Sequence, residues 1–251
     1  VSTQVRIGIN TLFALKQIHD VSIIGFIHRD VKPANLALGR RGTREHKFIH
    51  LLDFGLAREF IVNSEGKIKM RRPRQRALFR GTTRYCSINT HEKCEQGRVD
   101  DLWCLLYMLA ELRGPLPWAN ARYTINYNYD MSLSAGRGLI YNSTTPLHDY
   151  KRSQGLSKLS QPLFSDKKEV HDIKQNTDIE VVLENCPVQL IKFAEHLRYS
   201  RKETTFASNF MGITLNYYSR PDYLHLYTLL SDIMKAGRFR TASISDKRTI
   251  P

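Results

Sequence analysis

Two stretches decide how this sequence is read: Ile27-His28-Arg29-Asp30-Val31-Lys32-Pro33-Ala34-Asn35 and Leu52-Asp53-Phe54-Gly55. Leu36-Ala37-Leu38 and Phe48-Ile49-His50-Leu51-Leu52 lie between and read as two short strands, joined as a hairpin by the basic, glycine-containing residues 39–47. The residue types suit a particular chemistry. Asp30 offers a carboxylate that accepts a hydrogen bond from a hydroxyl and takes its proton. Lys32 lies two residues on, reaches the same space and offsets developing negative charge. Asn35 supplies a neutral oxygen and Asp53 a charged one. A small set of hard oxygens, completed by water and phosphate, is what Mg²⁺ prefers.

Outward from this centre, the apolar residues Val5, Ile9, Leu12, Phe13 and Ile18 predict a helix over 3–19. Residues 56–98 are basic and show no period, and are expected to be irregular. Val99, Leu102, Leu105, Leu106, Leu109 and Leu112 predict a central helix over 99–112, ended by Pro115 and Pro117. Residues 119–165 hold 19 Ser, Thr, Asn and Tyr among 47 residues, without a sustained period, and read as a long loop or disordered insertion. Helical patterning returns at 167–175, 187–198 and 222–236. The expected division is therefore 1–118, an insertion at 119–165, a last helical part at 166–236 interrupted near 200–214, and a basic tail at 237–251. The expected fold class is mainly α, formally α+β, with a short β-hairpin.

The chain has 251 residues, 38 Lys and Arg against 24 Asp and Glu, and a net charge of +14. Its apolar fraction of 41% excludes global disorder, and no apolar run approaches the roughly 20 residues of a membrane span. Cys86, Cys94, Cys104 and Cys186 form no CxxC pair and match no zinc spacing. No basic-then-apolar leader follows Val1, so the expected location is intracellular, cytoplasmic or nuclear. Residues 40–84 carry 13 Lys and Arg and 4 Asp and Glu, which is +9 of the total. Such a block asks for anions: phosphate, acidic groups or a solvated surface. Few aromatics interleave with it, so nucleic acid is not the expected partner.

His28-Arg29-Asp30 followed by four residues and Asn35, and then Asp53-Phe54-Gly55, follow the catalytic-loop and metal-binding patterns of protein kinases in order and spacing. The chain resembles the C-terminal lobe of a eukaryotic protein kinase, and Lys32-Pro33 gives it the serine/threonine pattern. It resembles more narrowly the casein kinase I superfamily, nearest the tau-tubulin kinase branch. That resemblance is carried by Leu52-Asp53-Phe54-Gly55-Leu56-Ala57-Arg58, Phe79-Arg80-Gly81-Thr82-Thr83-Arg84-Tyr85-Cys86-Ser87-Ile88-Asn89, Gly97-Arg98-Val99-Asp100-Asp101-Leu102-Trp103 and Leu116-Pro117-Trp118. Ser87-Ile88-Asn89 stands where most kinases have Ala-Pro-Glu.

The resemblance implies an ATP- and Mg²⁺-dependent serine/threonine kinase. Asp30, Lys32, Asn35 and Thr82 would be catalytic, Lys32, Asn35 and Asp53 would meet the nucleotide, and Asn35 and Asp53 would hold the metal. Arg29 and Asp101 would support the loop. Arg71, Arg72, Arg74, Arg80 and Arg84 would bind protein substrates with acidic or phosphorylated sites. Phe54 is expected in the core and Gly55 at a hinge. Only 29 residues precede Asp30 and no G-x-G-x-x-G occurs, so the N-terminal lobe is expected to be absent. The alternative function is an inactive kinase-like lobe that binds acidic or phosphorylated partners.

Overall fold

The computed structural model describes residues 1–20, 25–64, 66–121, 165–202 and 215–236. Residues 122–164 of the insertion expected at 119–165, residues 203–214 of that near 200–214, the tail from 237 and the apolar pair Ile23-Ile24 lie outside the described residues. Helix α1 spans Ser2–His19. It buries Val5, Gly8, Leu12, Leu15 and His19, a three-and-four spacing that makes one face. Phe13 falls off that face and is 61% exposed, contrary to its place in the predicted apolar set.

Short strands follow: β1 (Phe26–Ile27), β2 (Leu36–Leu38), β3 (Ile49–Leu51), β4 (Arg58–Glu59), β5 (Ile61–Ser64) and β6 (Lys67–Met70). They pair as three antiparallel two-stranded sheets. The predicted hairpin is β2–β3, with Leu36 opposite Leu51 and Leu38 opposite Ile49. β1 pairs with β4, Ile27 opposite Arg58. That pairing sets the residue before His28 beside the residue that leaves the Asp53 turn.

The expectation of an irregular 56–98 is not met. This segment contains β4, the β5–β6 hairpin turning through Gly66 at φ 74°, and the short helix α2 (Ile88–His91). Basic residues alternate with Ile68 and Met70 in β6, and mutual repulsion of the side chains is relieved at an exposed strand.

Helix α3 (Arg98–Glu111) is the axis of the fold. Leu102, Leu105, Leu106, Met108 and Leu109 are each 0–1% exposed, because α1 covers one side and later helices the other. Asp100 accepts a hydrogen bond from the Gly97 N–H at 2.6 Å, satisfying a donor at the helix start. The remaining helices are α4 (Ser165–Asn176), α5 (Ile179–Val182), α6 (Gln189–Lys202), α7 (Leu215–Tyr218) and α8 (Tyr223–Lys235). α6 runs to Lys202, and the rest of the interruption expected near 200–214 lies outside the described residues. α1 packs on α3 and α8, and α6 packs on α3 and α8. Ile27, Phe60 and Tyr217 form a second small core under the β5–β6 hairpin. Among the described residues no helix is long and apolar enough to cross a membrane.

Candidate active site

The loop from His28 to Asn35 is held from beneath by one buried carboxylate. Asp101, on the first turn of α3 and 0% exposed, accepts the His28 N–H at 2.7 Å and the Arg29 N–H at 2.8 Å. Those bonds fix a conformation the chain would not choose alone, since Arg29 sits at φ 70° in the left-handed region. The Arg29 guanidinium turns back to donate to the Leu56 carbonyl at 2.6 Å. The His28 ring spans two segments: Nε2 lies 3.0 Å from the Leu52 carbonyl, and Nδ1 accepts the Asp30 N–H at 3.3 Å. The loop and the Asp53 turn are thereby one unit, closed further by the Leu52 N–H on the Asn35 carbonyl at 2.8 Å.

Asp30 is 6% exposed and is the hub of the side chains. Lys32 Nζ donates to its Oδ2 at 2.6 Å, Thr82 Oγ1 to its Oδ1 at 2.7 Å, and Asn35 Nδ2 to its Oδ2 at 3.3 Å. Lys32 Nζ also reaches Thr82 Oγ1 at 3.2 Å, so acid, ammonium and hydroxyl close a ring. Burial pushes the Asp30 carboxyl up, but the hydrogen bonds from Lys32 and Thr82 outweigh it and hold its pKa below the ordinary carboxylate value. The group is an anion at neutral pH. Thr82 arrives from 50 residues away because Gly81 allows the chain to pass against the loop. Gly81 lies at φ 111°, and a Cβ there would be under 3.0 Å from the Arg29 carbonyl oxygen.

Asp53 stands apart from this ring. It is exposed, adopts φ 62° and accepts the Gly55 N–H at 3.1 Å. Phe54 is 47% exposed and meets the His28 ring edge-on at 5.1 Å, so it is not the core residue expected. Gly55 lies in a tight helical turn without positive φ, and the unusual backbone belongs to Asp53 instead. The donor set fits a hard cation held by few protein ligands. Asn35 spends its amide nitrogen on Asp30 and keeps its oxygen, and Asp53 keeps one carboxylate oxygen. Among the described residues no group of three or more His, Cys, Asp or Glu forms a closed cage. Mg²⁺ with water and phosphate ligands suits such a pair.

The basic block divides. Arg74 forks onto Glu95 at 2.5 and 2.9 Å, and Arg58 approaches the same carboxylate at 3.5 Å. Arg84 pairs with Glu111 at 2.7 Å, and Arg71 with Glu59 at 3.8 Å. Arg72 and Arg80 are exposed and make no ion pair with a described residue. The structure thus does not gather the five arginines into one patch. Glu95, buried and held below the usual carboxylate range by Arg74 against the cost of burial, was invisible in the charge count because it lies beyond the block.

Lys174 is the other residue that sequence reasoning missed. It is 4% exposed, lies 5.2 and 5.1 Å from the Tyr107 and Trp118 ring centroids, and donates to the carbonyls of Thr83 at 2.8 Å and Cys86 at 2.6 Å. It anchors the turn that presents Thr82. Ser87 and Asn89 meanwhile donate to Asp100 at 2.6 and 3.3 Å, which gives Ser87-Ile88-Asn89 a partner within α3.

Comparison with known proteins agrees with this geometry. The protein kinase domain family matches residues 3–170. A Caenorhabditis elegans protein named as a serine/threonine-protein kinase is 39% identical over 240 residues, 96% of this chain and 52% of its own length. An inactive tau-tubulin kinase of the same organism is 32% identical, over 96% of this chain and 64% of its own. A casein kinase I homolog of Kluyveromyces lactis is 35% identical, over 65% of this chain and 27% of its own. The chain spans about half the length of the first of these relatives and less than two thirds of the others. With two thirds of its residues under one family match and relatives on the serine/threonine side of that family, this chain belongs to the protein kinase domain family.

Proposed function

We propose that this chain is the helical lower lobe of a serine/threonine protein kinase, with Asp30 as the base that receives the substrate hydroxyl's proton. The observation that carries the reading is the closed ring of Asp30, Lys32 and Thr82, backed by Asn35. In the transfer a serine or threonine oxygen bonds to the γ-phosphorus of ATP, the bond from that phosphorus to ADP breaks, and the hydroxyl proton passes to Asp30. The low pKa of Asp30 keeps it unprotonated beforehand. Lys32 offsets charge on the moving phosphoryl group, and Thr82 orients the carboxylate toward the incoming hydroxyl. Asn35 and Asp53 would hold Mg²⁺, which when bound neutralises phosphate charge. Asp101 keeps the loop in its left-handed turn.

Substrates with acidic or phosphorylated residues fit the exposed guanidinium groups of Arg72 and Arg80. Arg71, Arg74 and Arg84 have internal acids to serve first. The test of the activity is transfer of labelled phosphate by the natural polypeptide and its Asp30→Asn variant. A fall of about 10²- to 10⁴-fold is expected, and an undiminished rate would refute the role given to Asp30. A second reading, a lobe that binds without transfer, is favoured by the relative named as inactive. Substrate capture with no transfer by wild type or variant would establish it.

A further inference from the structure

A buried chain of polar groups runs from the last helix to the loop that carries Asp30. Tyr223, the first residue of α8 and 3% exposed, has its hydroxyl 2.6 Å from His19 Nδ1. His19, the last residue of α1 and 0% exposed, presents Nε2 to Asp101 Oδ2 at 2.9 Å. Asp101 then accepts the backbone N–H groups of His28 and Arg29. Chemistry fixes the direction of the bond to Asp101. A carboxylate only accepts, so His19 Nε2 carries a proton. When the ring is neutral, Nδ1 is the acceptor and the phenol O–H of Tyr223 is the donor that fills it; when it is protonated, Nδ1 donates to the phenol oxygen, and in both cases the hydroxyl is the partner of Nδ1.

We infer that Tyr223 is a positioning residue of the candidate active site, acting through His19 and Asp101 on the backbone of His28 and Arg29. The inference rests on the kinase reading for its rate measurement alone. The geometry explains why a tyrosine is needed. With phenylalanine the ring still fills its place, but His19 Nδ1 loses the Tyr223 hydroxyl, its hydrogen-bond partner among the described residues. The imidazole then has reason to tilt or to change tautomer, and the bond to Asp101 Oδ2 weakens with it. Oδ2 is shared between His19 and the His28 N–H, so the carboxylate re-aims and the strained Arg29 turn loosens. The neighbouring Arg220 sits 5.7 Å over the Tyr223 ring and pairs with Asp20 at 2.9 Å, which clamps the α8 start onto the α1 end.

The experiment compares wild type, Tyr223→Phe and Leu229→Ala in the natural polypeptide. Leu229 is buried on the same helix and is not part of the polar chain. Amide hydrogen exchange is read at His28 and Arg29, together with kcat and KM for a peptide substrate. Tyr223→Phe is expected to speed exchange at those two amides and to lower kcat, each by about three- to tenfold, the effect of one lost hydrogen bond, with KM unchanged. Leu229→Ala is expected to lower the melting temperature while leaving those amides slow. Equal acceleration in both variants, or none in Tyr223→Phe, would overturn the assignment. If no protein transfers phosphate yet Tyr223→Phe alone frees the two amides, the positioning role stands and the kinase reading falls.

Discussion

Gly81→Ala tests the central geometric claim, that the catalytic loop and the Thr82 turn touch through a space only glycine leaves open. Two penalties combine. Gly81 lies at φ 111°, where an added Cβ costs about 1–2 kcal/mol in backbone strain. The new methyl would also stand under 3.0 Å from the Arg29 carbonyl oxygen, a backbone atom that cannot swing aside. Arg29 is itself pinned by Asp101 at φ 70°, so relief means pushing the Thr82 turn away. Further strain of about 1–3 kcal/mol follows. The sum, about 2–5 kcal/mol, corresponds to a fall in melting temperature of roughly 4–20 °C for a domain of this size.

The rate should suffer beyond the stability. The methyl would lie 3.9 Å from Asp30 Oδ1, the atom that Thr82 Oγ1 now holds at 2.7 Å. Displacement of the turn by several tenths of an ångström breaks that bond and lets Asp30 rotate. Misplacement on that scale costs about 10- to 100-fold in kcat. The assay is thermal unfolding alongside phosphate transfer at a temperature where both proteins are folded. Thr82→Ala is the reference, since it removes the same bond without strain and should lose rate while keeping most of the melting temperature. If Gly81→Ala melts and turns over like wild type, the close approach has no energetic meaning.

Two further outcomes follow from buried charge. Glu95→Gln should destabilise the protein by about 2–4 kcal/mol in denaturant unfolding, because Arg74 and Arg58 lose a carboxylate buried between them; Arg72→Ala should change the midpoint by no more than about 0.5 kcal/mol. Asp100 is fully enclosed, and burial pushes its carboxyl up to about 6 against the hydrogen bonds of Ser87 and Gly97. A raised folded-state pKa means that stability is fully present below the unfolded value, near 3.8, and is lost as pH rises through about 6. The difference in unfolding free energy between wild type and Asp100→Asn should therefore change between about pH 4 and 6 and be flat above; a flat difference throughout would show that Asp100 titrates normally.

The parts of this molecule that were legible in sequence are those written in local patterns. Helical spacing located α1, α3 and α8 because each buries a stripe, and the residues of the β2–β3 hairpin alternate with turn chemistry between. The Asp30, Lys32, Asn35 and Asp53 motif is local in the same sense. What was not legible depends on partners far away in the chain. Lys174 looks like any solvated lysine of a polar helix until α4 lays it between Tyr107 and Trp118. Arg29 and Asp53 take left-handed backbone without being glycine, since the surrounding hydrogen bonds supply what their own preference opposes.

The basic block is the instructive case, because its composition does not tell which of its cations are already paired. A sum of charges over consecutive residues treats every cation as available. Folding brings Glu95 to Arg74 and Glu111 to Arg84, and removes them from that sum. Over residues 71–84 the guanidinium groups left open are those of Arg72, Arg76 and Arg80, and Arg80 stands two residues before Thr82. A substrate anion beside Arg80 would meet fewer free cations than the charge sum over residues 40–84 implies. Recognition of that kind depends on register more than on total charge. Moving a phosphate by one position along a peptide should therefore alter its KM more than doubling the peptide's acidic residues elsewhere, and peptides scanned in both ways would separate a positioned site from a diffuse field.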